Sequence, residues 1–207
     1  MSSRKWRSPA ALVLTLLFTL LAACQEQRPG SQPLSLAVVP AFSNVGFSIM
    51  EFGVMRQEGS FRDFRGDIYY DPAHPERSHV SFVVQVDSID ARSRHREEAL
   101  RSDDFFDTQR FPTMSFTSTA VAARPDGTLA VTGDLTIRGV SKRITIPVRY
   151  LGFMRVSDQS SYAGFESTFT LDRTEFGVNG ARWQGGRLLL SKEVTITLQI
   201  GARPAGQ

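Results

Sequence analysis

The chain has 207 residues, with 24 Lys and Arg against 21 Asp and Glu, three His and a single Cys. Residues 1–23 hold three of those bases and no acid, so 24 less 3 leaves 21 bases against 21 acids in the remainder. A formally neutral remainder with no basic, aromatic-interleaved patch gives no reason to expect a nucleic-acid partner, and the single cysteine excludes an internal disulfide framework.

The first segment sets the compartment. Arg4, Lys5 and Arg7 precede an apolar run from Ala10 to Ala23, broken only by Thr15 and Thr19. That run is too short to span a bilayer, which takes about 20 apolar residues. A basic start, a short apolar core and small residues at its end predict an export signal over residues 1–23. The segment ends in Leu21-Ala22-Ala23-Cys24, similar to a bacterial lipobox, in which the cysteine is acylated with palmitate-like chains and becomes the first mature residue. The plainer alternative is an ordinary cleavage site beside a chance cysteine. With Cys24 as a lipid anchor, residues 24–36 read as a flexible tether and 37–203 as one folded domain. The expected location is then the cell envelope on the periplasmic side, with Gln25 favouring the outer membrane over the inner.

From residue 43 onward the dominant period is two. Strands are predicted over 43–54 and 57–71, carrying Phe47, Ile49, Phe61 and Ile68. Val80, Phe82, Val84 and Val86 then share a face, as do Met114, Phe116 and Ser118. Leu129, Val131, Leu135 and Ile137 follow, then Ile144, Ile146, Val148 and Tyr150. Phe165, Phe169 and Leu171 flank Ser167, and Val194, Ile196, Leu198 and Ile200 complete the set. Each run has one apolar and one polar face, the signature of antiparallel sheet. Turn signals sit at 124–127 and 137–142, and 179–187 read as a flexible Gly-rich loop. About eight such strands predict an all-β fold, a closed up-and-down barrel or a sandwich, and closure removes exposed edges. Periodicity alone leaves a ligand-holding interior and a filled core equally open.

One segment breaks the pattern. Residues 92–107 predict a short helix and turn between strands, with Glu97 and Arg101 as an i,i+4 pair. It either crosses the outside or closes one end, and Phe105 and Phe106 are then candidates for a plug, while its acids read as a wet face.

Chemical motifs are sparse. His74, His79 and His95 have no metal-ligand spacing, and no nucleophile elbow or phosphate loop occurs. The motifs therefore give no reason to expect an enzyme, and no metal, catalytic residue or cofactor is expected from them.

The order of these elements resembles the YceI-like family, the polyisoprenoid-binding, lipocalin-like barrels of bacteria. The resemblance rests on Gly59, Phe61, Phe64 and Gly66 at the end of the first hairpin, and on the stretch 86–119. The hairpin 131–148 and "FTLDRTEFGV" at 169–178 complete it. It implies an eight-stranded antiparallel barrel whose tunnel holds a polyprenyl lipid or quinone. Phe47, Ile49, Phe82, Val84 and Met114 would line that tunnel, with Phe116, Leu135, Phe165 and Phe169. The chain departs from the family at two histidine positions, reading Glu51 in the first strand and Ala99 in "REEAL". By strand period Glu51 faces inward, so it is expected to meet the polar end of a ligand and to pair with Arg56 or Arg65, or to be protonated. Two functions follow: a lipid-anchored protein that binds, stores or carries an isoprenoid, and a filled barrel serving as a structural or protein-interaction module. The oligomeric state is open between monomer and homodimer.

Overall fold

Strands with one apolar face bury it best by closing the sheet on itself, and this chain does so. The computed structural model describes residues 32–157, 159–183 and 190–206. The expected export signal, Cys24 and the first part of the tether lie outside the described residues. Residues Gln32–Gln207 form a compact unit by themselves.

In chain order the elements are β1 (Leu34–Val38), β2 (Asn44–Glu51), β3 (Met55–Phe61), β4 (Phe64–Tyr70), β5 (His79–Gln85) and β6 (Ile89–Asp90). They continue with α1 (Arg94–Arg101), β7 (Thr113–Ala123), β8 (Leu129–Ile137), β9 (Val140–Ser157), β10 (Ser160–Asp172) and β11 (Leu190–Pro204). Neighbours run β1-β4-β5-β7-β8-β9-β10-β11, and β11 pairs back to β1, closing an eight-stranded antiparallel barrel. The β2–β3 hairpin adds to the first half of β11, and the two residues of β6 add to β3.

Three elements differ from the sequence expectation. The strand predicted over 57–71 is two strands meeting at Arg62 and Asp63. Phe61 and Phe64 are both buried but three residues apart, so a single period-two strand cannot bury both. Leu34–Val38, at the end of the stretch read as tether, is β1, the strand that completes the ring. Finally, β9 runs well past Tyr150 to Ser157.

The predicted helical segment is α1 and the turn after it. Arg101 lies 3.7 Å from Glu97 and 3.1 Å from Asp87 and donates to Ile89 O, fastening the helix to β6. The acids that follow are not uniformly wet. Asp107 is buried with φ +54, its N–H donates to Ser102 O, and its carbonyl accepts from Arg110 and Phe111. Both carboxylate oxygens of Asp104 accept from the Arg182 N–H at 3.0 Å. These two acids hold a turn; the exposed ones are Glu98 and Asp103.

Candidate ligand-binding cavity

The barrel holds a cavity of about 320 Å³. Its size is within the range of small-molecule sites. Phe47 and Ile49 reach it from β2, Phe82 and Val84 from β5, and Met114 and Phe116 from β7. Leu135 of β8 and Phe165 and Phe169 of β10 also line it. The structure thus brings together all nine side chains expected on the tunnel wall. Further wall is supplied by Val45, Phe61, Val131, Ile144, Ile196 and Leu198. The alternation on β8, β9 and β11 already placed most of these on the inner face.

Space is left in the middle because three rings lie down against the sheet. A Cβ added to Gly59 would sit 2.4 Å from the Phe47 ring, and one on Gly66 would sit 2.5 Å from Phe82. On Gly133 it would sit 2.5 Å from Phe116. Phe47 and Gly59 are register partners, as are Phe82 and Gly66, so each ring folds across the bare backbone opposite it.

The end beside α1 is closed by aromatic side chains. Phe105 is 3 % exposed and packs in a second apolar cluster with Phe176 and Val178. Phe106 packs against both that cluster and the main core, edge-on to Phe61 with centroids 6.1 Å apart. Both line the cavity. Trp183, within the Gly-rich loop expected over 179–187, stands edge-on to Phe105 at 6.1 Å and stacks on His95 at 5.2 Å. At the other end Tyr70, Tyr150 and Phe165 pack together, with Tyr70 and Tyr150 centroids 4.6 Å apart. Burial raises the pKa of both tyrosines above the ordinary value; Asp71 adds to the effect at Tyr70, and Tyr70 adds to it at Tyr150.

Polar groups enter the wall near the α1 end. Glu51 is 7 % exposed, and its Oε2 accepts from Gln57 Nε2 at 3.0 Å. Gln57 Oε1 in turn accepts from Arg96 Nη1 at 2.6 Å. All three residues line the cavity. The inward placement of Glu51 follows the strand period, but Gln57 stands as a partner where Arg56 or Arg65 was expected; both arginines are exposed. The hairpin register explains the difference, since Ile49 pairs with Gln57 and places that amide on the inner face. Arg173 closes the same region. Its guanidinium donates to Ser191 O at 2.9 Å, Val178 O at 2.5 Å and Asn179 O at 2.6 Å, holding β11 and the loop after β10 together. Burial lowers its pKa, with Asp172 opposing that shift. Among the described residues no group of three or more His, Cys, Asp or Glu is placed to hold a metal. An apolar volume with a short hydrogen-bonding chain at one end suits an amphiphile with a long tail and a small polar head.

Comparison with known proteins agrees with this architecture. Residues 36–202 match the YceI-like domain. A UPF0312 protein of Vibrio vulnificus is 36 % identical over 138 residues, covering 67 % of this chain and 73 % of the relative. One from Ectopseudomonas mendocina is 36 % identical over 134 residues, covering 65 % and 70 %. Among solved structures, Burkholderia cenocepacia BcnA superposes with a TM-score of 0.70 at 24 % identity, covering 79 % of this chain and 98 % of that one. A polyisoprenoid-binding domain from Saccharophagus degradans superposes at 0.63 with 14 % identity, covering 83 % and 99 %. By its sequence, its closed barrel and its apolar cavity, this chain belongs to the YceI-like family.

Proposed function

We propose that the protein is a cell-envelope lipoprotein that binds, stores or carries an isoprenoid chain, such as a quinone tail or polyprenyl lipid, inside the barrel. The observation that carries this reading is the apolar cavity inside the barrel, lined from β2, β5, β7, β8, β10 and β11. A barrel built only as a structural module would be packed to ordinary interior density. Each buried methylene contributes about 0.8 kcal/mol, so a five-carbon unit gains roughly 3–4 kcal/mol before ordering costs. Such a tail needs few polar contacts, and Glu51, Gln57 and Arg96 supply the few on offer. The Saccharophagus degradans domain with this fold is described as polyisoprenoid-binding, which supports the same ligand class. An acylated Cys24 would hold the barrel at the membrane from which such a lipid comes. No reaction is assigned to the site.

The test is mass spectrometry of the full chain purified from its own membranes, both native and after lipid extraction. A co-purifying polyprenyl lipid or quinone is expected, together with an N-terminal peptide carrying acyl mass on Cys24. Protein that emerges lipid-free and takes up neither a quinone nor a polyprenyl alcohol on incubation overturns the ligand reading. An unmodified Cys24 overturns the anchor alone.

A further inference from the structure

A second apolar surface lies outside the barrel, away from the cavity. Along most of β9 the outward positions are polar or charged: Arg143 faces Asp134, Thr145 faces Thr132, and Arg149 faces Glu166. Beyond Tyr150 this changes. Leu151, Met154 and Val156 are 58, 69 and 65 % exposed, and Phe42, in the short turn after β1, is 61 % exposed.

These side chains form one surface because two glycines let them lie flat. A Cβ on Gly164 would meet Leu151 at 3.2 Å, and one on Gly201 would meet Phe42 at 2.8 Å. Gly164 and Gly201 are register partners on β10 and β11, so Leu151 and Phe42 lie against adjacent strands. Tyr162, paired with Met154, stands edge-on to Phe42 with centroids 5.2 Å apart. Exposed Arg203, two residues past Gly201 on β11, shares the outer face of that strand.

The chain arrives at this face from its N-terminal side. Val38 pairs with Ala202, and Val39 N–H donates to Gly201 O at 2.8 Å. Cys24 lies ten residues before Leu34. Ten residues span at most about 33–36 Å.

We propose that this face is a membrane-docking surface, seated on the headgroups and upper acyl chains of the bilayer that holds the anchor. The inference rests on the lipoprotein reading for the nearness of that bilayer, while the patch itself lies wholly on the barrel. An apolar area with an exposed arginine on the same face is the composition that interfacial binding uses, and tyrosine favours the headgroup level. A face this apolar on the wet side of an antiparallel sheet has no use in the barrel's own packing. With an anchor within reach, even weak docking would orient the barrel, because the tether replaces diffusion from solution.

The experiment uses residues 32–207, which carry the whole closed sheet and its core and lack Cys24. This form is floated with millimolar vesicles of phosphatidylethanolamine and phosphatidylglycerol. The parent is expected to float with the vesicles, and the Leu151→Ser/Met154→Ser/Val156→Ser variant at least tenfold less, with the same circular dichroism spectrum. Equal flotation of parent and variant overturns the proposal. So does a parent dimer in light scattering that the substitutions convert to a monomer while vesicle binding stays unchanged; the face would then be a contact between copies. Because Cys24 is absent, a failed anchor in the full chain leaves this result untouched.

Discussion

The ring of Phe105 occupies the space that a side chain on Gly180 would need, with only 2.4 Å between its Cζ and an ideal Cβ there. Gly180 also has φ +65, and its N–H donates to Asp104 O at 2.8 Å. Its glycine therefore locks the turn after α1 onto the loop after β10. Gly180→Ala meets both a backbone penalty and a steric one and should lower stability by about 2–3 kcal/mol. A urea midpoint unchanged from the parent would refute this coupling.

The two phenylalanines at the closed end separate into different jobs. Phe105 sits among Phe176 and Val178, so removing its ring should cost about 3–5 kcal/mol of stability. Phe106 faces Phe61 across the cavity wall and is only half-buried. Phe106→Ser should shorten the residence time of a fluorescent polyprenyl analogue several-fold with a smaller effect on stability. Stopped-flow release that matches the parent would make Phe106 simple wall.

Removing a donor from the polar chain tests the head-group end. Gln57→Leu takes one hydrogen bond from the buried Glu51 carboxylate and should destabilise the barrel by about 1–3 kcal/mol. It should also weaken retention of a hydroxyl-bearing polyprenol more than that of the corresponding hydrocarbon. Equal losses for both ligands would mean that the head group does not contact this chain.

Burial at the opposite end gives a pH dependence with a definite sign. Tyr70 and Tyr150 hold their protons more tightly in the folded state than free tyrosine does near pH 10. Their contribution to stability is complete below that value and is lost as pH rises through the higher folded-state pKa. Absorbance at 295 nm should show late-ionising tyrosines that disappear in a Tyr70→Phe/Tyr150→Phe double variant. An unchanged titration curve in that variant would contradict the assignment.

Most of the fold was legible because period two is hard to mistake over long runs. The inner faces of β8, β9 and β11 read directly from Leu129 to Ile137, Ile144 to Tyr150 and Val194 to Ile200. Four features were hidden for physical reasons. β1 alternates Leu34, Leu36 and Val38, but it follows a polar, proline-containing stretch and finds its partners about 30 and 165 residues downstream, in β4 and β11. The break at Arg62 was present in the three-residue spacing of Phe61 and Phe64 but needed burial at both to be seen. The Glu51–Gln57–Arg96 chain depends on hairpin register and on where α1 docks, neither of which composition reveals. The acids Asp104 and Asp107 looked like a wet face because their carboxylates accept from the Arg182 N–H and from Arg110 Nη1, partners that the folded turn brings to them.

The glycines under Phe47, Phe82 and Phe116 bear on more than local packing. With alanine at 66 the Phe82 ring would have to swing away from the sheet toward the lumen, whereas at 59 and 133 the backbone oxygens of Asp90 and Thr117, 2.8 and 2.5 Å from the added Cβ, would have to shift as well. Gly66 thus ties the free volume of the barrel to a single missing methyl group behind the wall, and Gly59 and Gly133 tie the spacing of neighbouring strands to another. The room inside the barrel is therefore governed from behind its wall, by residues with no side chain of their own.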